Sequence, residues 1–156
     1  MPRHGRIFKK DISPDAVFDS VLVQKFINKL ILKGKKSIAE KIVYDAFALV
    51  KEKLDSNPLE VFEKALGNVT PLLEVKARRV GGATYQIPVE VSKVRGQAMA
   101  MQWFRDVCRN KKGKSMIEKL ATELIDAYNG TGEAIKKRED VHKTADANKA
   151  FAHFRW

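Results

Sequence analysis

The sequence predicts a mainly α fold: a six-helix, bundle-like body with one protruding two-stranded antiparallel β-ribbon between the third and fourth helices. Three observations carry that expectation. Apolar residues recur at helical spacing over most of the chain, the period drops to two only between 73 and 91, and Gly81-Gly82 interrupts that stretch. A chain of 156 residues with 44% apolar content suits a single domain with a real core.

Residues 1–14 show no helical period and read as an extended basic tail ending at Pro14. Val23, Phe26, Ile27 and Leu30 then form a helical stripe with Gly34 as its stop. Ser37 and Glu40 have capping-box spacing ahead of Ala39, Ile42, Val43, Ala46 and Val50. Asn57, Pro58 and Glu60 open a third helix, because proline at the first helical position loses no needed N–H. Leu59, Phe62, Leu66 and Val69 are its apolar stripe, closed by Pro71.

In the ribbon, Leu73, Val75 and Ala77 alternate with Glu74, Lys76 and Arg78, and Tyr85, Ile87, Val89 and Val91 alternate again. Two glycines between such runs mark a hairpin, since both accept positive φ. Pro88 donates no ladder hydrogen bond and places its strand at an edge. A lone ribbon is marginal in water, so it must lean on the helices or on a partner. The helical period then returns. Ala100, Met101, Phe104, Val107 and Cys108 share a face, Ser115 and Glu118 open a fifth helix, and Gly130-Thr131-Gly132 precedes a sixth. Residues 148–156 read as a C-terminal tail.

The charge narrows function. Thirty Lys and Arg against nineteen Asp and Glu leave +11. Such an excess attracts polyanions. Nucleic acid is the first reading, an anionic membrane surface the second, and plain solubility the bland one. No stretch has the roughly 18 apolar residues of a spanning helix, so no membrane role is expected. Cys108 stands alone, which excludes a disulfide framework and fits a reducing cytosol.

Candidate RNA contacts follow from where the cations cluster. Lys76, Arg78 and Arg79 crowd the strand before the Gly-Gly apex, where guanidinium groups offer phosphate a planar fork; a charged edge that discourages aggregation is the bland account. Tyr85 could stack on an unpaired base. Arg3, His4, Arg6, Lys9 and Lys10 suit an arm that orders on phosphate, or merely a solubilising terminus. Lys35 and Lys36 follow the first helix, where the helix dipole alone would explain cations. Arg95, Gln102 and Arg109 recur every seventh residue and share one side of the fourth helix. The loop after it adds Lys111, Lys112 and Lys114.

Catalytic chemistry has little to work with. Gly113-Lys114-Ser115 imitates the end of a phosphate-binding loop, but Cys108 stands where that loop needs glycine and a helix precedes it. His4, His142 and His153 are scattered, and Glu139-Asp140-His142 reads as a solvated helix face. No catalytic residue, metal site or cofactor is expected.

Several stretches resemble the bacterial form of the small-subunit ribosomal protein seven family. The ribbon RRVGGATYQIPVEV (Arg78 to Val91) and the C-terminal KKREDVHK and ANKAFAHFRW carry the likeness most specifically. LKGKKSIAEKIVYDA (Leu32 to Ala46) and VFEKALGNVTPLLEV (Val61 to Val75) extend it. The resemblance implies a structural, non-enzymatic protein of the cytoplasmic ribosome. It implies early binding to the 3′ major domain of small-subunit ribosomal RNA and organisation of the subunit head. It also implies a place near exit-site transfer RNA and the messenger exit path, beside ribosomal proteins eleven and nine. Some members of the family also repress their own messenger, which the resemblance extends to this chain as an expectation. Carried over, the family's RNA contacts fall on Arg3, Arg6, Lys9, Lys10, Lys35, Lys36, Lys76, Arg78, Arg79 and Arg95. The chain departs at Arg3-His4-Gly5-Arg6, where the family commonly has an unbroken arginine run, and at Gly96 and Gln102, where polar or basic residues are common.

Overall fold

The structure, a computed structural model, describes residues 11–154. Its elements run α1 (Val21–Leu30), α2 (Lys36–Leu54), α3 (Pro58–Val69), β1 (Leu73–Val80), β2 (Ala83–Glu90), α4 (Lys93–Asn110), α5 (Met116–Tyr128), α6 (Glu133–Ala147) and a 3₁₀ segment (Lys149–Phe154). Six α-helices with a ribbon between α3 and α4 is the expected layout. The 3₁₀ segment is an addition, formed within the stretch expected to be tail.

Local chemistry explains the helix starts. Asn57 Oδ1 accepts from the Leu59 N–H at 3.1 Å and its Nδ2 donates to Glu60 at 3.2 Å, with Pro58 first in α3. Ser115 Oγ accepts from the Glu118 N–H at 3.3 Å. The Ser37–Glu40 box does not form. Lys33 (φ 51°) and Gly34 (φ 76°) turn the chain sharply enough that α2 begins at Lys36, so Ser37 lies inside the first turn. Glu40 pairs instead with Lys36 at 3.2 Å.

Most residues of the expected stripes are buried in the core; Ile42 and Leu59 are half-buried against it, and Phe47, outside the stripe read for α2, joins it. Phe26, Phe47, Phe62 and Phe104 are fully buried, and their rings join α1 to α4 through Phe26–Phe62 (5.2 Å), Phe47–Phe62 (5.5 Å) and Phe26–Phe104 (6.3 Å). Each such ring contributes roughly 1.5–3 kcal/mol of burial. Leu120, Ala121 and Leu124 of α5 and Ala134 and Ile135 of α6 complete it. Cys108 is buried there, and burial, helped by Glu123, pushes its thiol up to about 12, so it is inert.

At the ribbon tip, Gly81 and Gly82 both take positive φ (57° and 89°), closing the Val80–Ala83 pair. In register, Glu74, Lys76 and Arg78 face Val89, Ile87 and Tyr85. The inward face of β1 is therefore the charged one. Its cross-strand partners supply the apolar surface, Ile87 being buried, and the ribbon leans on α6 and the 3₁₀ segment.

Candidate nucleic-acid interface

The root of the ribbon is tied to α4 through Glu74. This carboxylate is buried, and both its oxygens accept from Arg95 (Nε at 3.0 and 2.8 Å, Nη2 at 2.8 Å), while Lys76 Nζ stands 3.4 Å away. The Arg95 hydrogen bonds hold the Glu74 carboxyl below the ordinary glutamate value, outweighing burial, and Lys76 adds to the effect. Glu74 in turn raises the Arg95 guanidinium. Arg95 keeps over half its side chain in solvent and remains able to meet phosphate.

The three ribbon cations do not form one stripe. Lys76 and the half-buried Arg78 lie on the inward face, whereas the exposed Arg79 points to the other, as period two requires. Tyr85 stands between Phe151 and Phe154, with ring centroids 5.1 and 5.3 Å away. It enters the surface as part of an aromatic cluster that the 3₁₀ segment completes.

Arg95, Gln102 and Arg109 are all exposed, as their spacing requires, while Trp103 packs half-buried against the core. Arg109 Nη2 donates to the Leu30 carbonyl at 3.1 Å, which brings the far end of α4 to the α1–α2 connection. Lys33, Lys35 and Arg109 thereby line one groove, with Leu32 and Ile38 exposed beside them. Lys36, also exposed, is shared with Glu40.

The α4–α5 loop splits. Lys112 and Lys114 are exposed and, with Lys111 and Lys119, line a hollow of about 290 Å³. Lys111 turns inward, a third of its side chain exposed, onto Glu123. Burial lowers the Lys111 ammonium, but its hydrogen bond to Glu123 prevails and raises it. Glu123 is wholly buried, and its other oxygen accepts from the Ala134 N–H at 2.7 Å, capping α6 in place of Gly132. Neither Lys119 nor Glu123 is conspicuous in sequence: one stands apart from the basic run, and the other looks like any exposed helix glutamate.

The remaining polar groups do structural work. The Leu72 N–H donates to His142 Nε2 at 3.1 Å, and Arg138 donates to the Asn68 carbonyl while pairing with Glu139 at 3.6 Å. Asn68 Nδ2 donates to the Ala127 and Tyr128 carbonyls at 2.9 and 3.2 Å. Among the described residues no group of three His, Cys, Asp or Glu could hold a metal, and no helix is long and apolar enough to cross a membrane. Arg3, Arg6, Lys9 and Lys10 lie outside the described residues.

Known proteins bear on this arrangement directly. A family model described as ribosomal protein S7p/S5e matches residues 2–149. Relatives called small ribosomal subunit protein uS7 are 58% identical over 156 residues, all of both chains, in Dictyoglomus turgidum and Pelotomaculum thermopropionicum. Another from Desulforamulus reducens is 56% identical over the same span. A family match over nearly the whole chain, with full-length likeness of this depth, makes the chain a member of the ribosomal protein S7p/S5e family, a structural protein of the small ribosomal subunit rather than an enzyme.

Proposed function

We propose that the chain acts as one RNA-binding unit that binds the 3′ major domain of small-subunit ribosomal RNA early and organises the head of the subunit. The observation that carries this reading is the fixing of α4 at both ends. Arg95 is held at the ribbon root by Glu74, and Arg109 at the α1–α2 connection by the Leu30 carbonyl. Fourteen residues of helix separate them, roughly 21 Å at 1.5 Å per residue. Cations at a fixed spacing read the shape of a folded RNA, not its sequence.

On this reading Lys35, Lys36, Lys76, Arg78, Arg79, Arg95, Arg109, Lys112 and Lys114 meet phosphate. Lys111 contributes less, because Glu123 already neutralises it. Arg3, Arg6, Lys9 and Lys10 order on the RNA. Tyr85 stacks on a base only together with its phenylalanine neighbours. The bound protein lies near exit-site transfer RNA and the messenger exit path, beside ribosomal proteins eleven and nine, and represses its own messenger by binding it. A DNA-bending ribbon would need an apolar wedge at its tip, and Gly81-Gly82 offers none.

Footprinting of transcribed 3′ major-domain RNA tests this. The full chain protects discrete nucleotides, and the Lys76→Ala/Arg78→Ala/Arg79→Ala variant loses a subset of them. Protection unchanged in the triple variant would take the ribbon out of the interface.

A further inference from the structure

A groove between α1 and α4 lies apart from every residue assigned to RNA above. It encloses about 380 Å³. Met101, only 2% exposed, is part of its floor, and Ile12 and Val94 stand at its rim, 40% and 74% exposed. Lys25 and Lys29 sit one helical turn apart on α1. Each helix adds an amide, Asn28 from α1 and Gln97 from α4. No carboxylate is among the lining residues.

The chemistry of this lining is specific. An apolar floor accepts the face of a flat, weakly polar group, two lysines accept a phosphate beside it, and amides read an edge. Asn28 Oδ1 already accepts from Gln24 Nε2 at 3.0 Å, which leaves the Asn28 NH₂ as a donor, while the Gln97 amide oxygen can accept. One donor and one acceptor suit the polar edge of an unpaired base, which offers an adjacent acceptor and donor. A continuous duplex keeps its bases stacked and has none to insert. An apolar protein segment would leave both lysines without a counter-charge. We propose that the α1–α4 groove seats one unpaired base of the RNA, with Lys25 and Lys29 on the flanking phosphates. This rests on the RNA-binding reading and adds a base-reading site to a surface otherwise read as phosphate-binding.

The test titrates the full chain and two double variants, Asn28→Ala/Gln97→Ala and Lys25→Ala/Lys29→Ala, against transcribed 3′ major-domain RNA and against a random-sequence RNA duplex across a range of salt. The amide variant is expected to lose about tenfold on the folded RNA, keep its duplex affinity and keep its salt slope. The lysine variant is expected to weaken on both RNAs, its salt slope shallower by about 1.5 for the two phosphate contacts removed. An amide variant that binds the folded RNA as tightly as the unaltered chain overturns the proposal. An unaltered chain that prefers neither RNA overturns the RNA reading itself. Photocrosslinking of RNA carrying azido-labelled bases to the unaltered chain needs no variant to fold. A crosslink to residues 25–29 or 94–101 supports the site, and crosslinks confined elsewhere overturn it.

Discussion

Glu74 on β1 and Arg95 on α4, twenty-one residues apart, share a two-pronged ion pair that fixes the ribbon's root against the helix carrying the exposed cations. The Glu74 carboxyl lies below its ordinary value in the folded chain. Its contribution is therefore present above about pH 4.3 and fades as pH falls through the lowered value. Glu74→Gln is expected to speed amide exchange across residues 73–90 at neutral pH while the helical core keeps its protection. Acidification should then add less further loosening to the variant's ribbon than to that of the unaltered chain. Hydrogen-exchange mass spectrometry measures both.

Glu123 replaces a missing N-cap on α6 and neutralises Lys111 at once. Glu123→Ala uncaps the helix and leaves a partly buried ammonium without its counter-charge. We expect a loss of about 2 kcal/mol, below the 3–5 typical of fully buried pairs because Lys111 stays in partial contact with water. Urea denaturation should show a lower midpoint at unchanged slope.

Gly96 marks a close approach between α4 and the chain that leads into the ribbon. A Cβ there would lie 2.8 Å from Thr70 Cγ2 and 3.1 Å from the Pro71 carbonyl, so α4 sits directly on the α3–β1 connection. By helix propensity alone Gly96→Ala should gain up to about 1 kcal/mol. The close approach reverses the sign, and we expect a net loss of about 1–2 kcal/mol. Thermal unfolding decides between the two.

Tyr44 donates its hydroxyl to Asp15 at 2.5 Å, and Asp15 in turn accepts from the Val17 and Phe18 N–H groups at 3.1 and 3.0 Å. Burial pushes the Tyr44 phenol up to about 12, helped by its bond to Asp15. For Asp15 burial acts upward, but the Tyr44 and backbone bonds prevail and hold it low. The phenol's contribution to stability is thus present below its ordinary value near 10 and is lost as pH rises toward the elevated one. Tyr44→Phe is expected to cost about 1 kcal/mol at pH 7 and to remove a late-ionising component from the ultraviolet titration.

Much of this architecture is legible in the residues. Phe26, Phe62 and Phe104 sit on stripes whose spacing alone marks them as core, Asn57-Pro58 opens α3 as written, and Gly81-Gly82 turns the ribbon. Ser37 misled because a two-residue left-handed turn at Lys33-Gly34, invisible to cap rules, moved the helix start. The ribbon's inward face was not legible, because β1 alternates correctly either way and only its pairing with Ile87 and Tyr85 decides which side is apolar. Glu123 could not be found either. Its partners, Lys111 and Ala134, are brought to it by packing, and sequence spacing carries no trace of that.

On the function proposed, neutralisation of the phosphates of a folded ribosomal RNA falls to cations held by this fold. Its most direct test is the affinity of the full chain for transcribed 3′ major-domain RNA as a function of salt. If about six phosphates are engaged, the logarithm of the affinity should fall with the logarithm of salt at a slope near −4, a release of counterions at roughly 0.7 per phosphate. An affinity that barely changes between low and physiological salt would rule out phosphate neutralisation as the basis of binding.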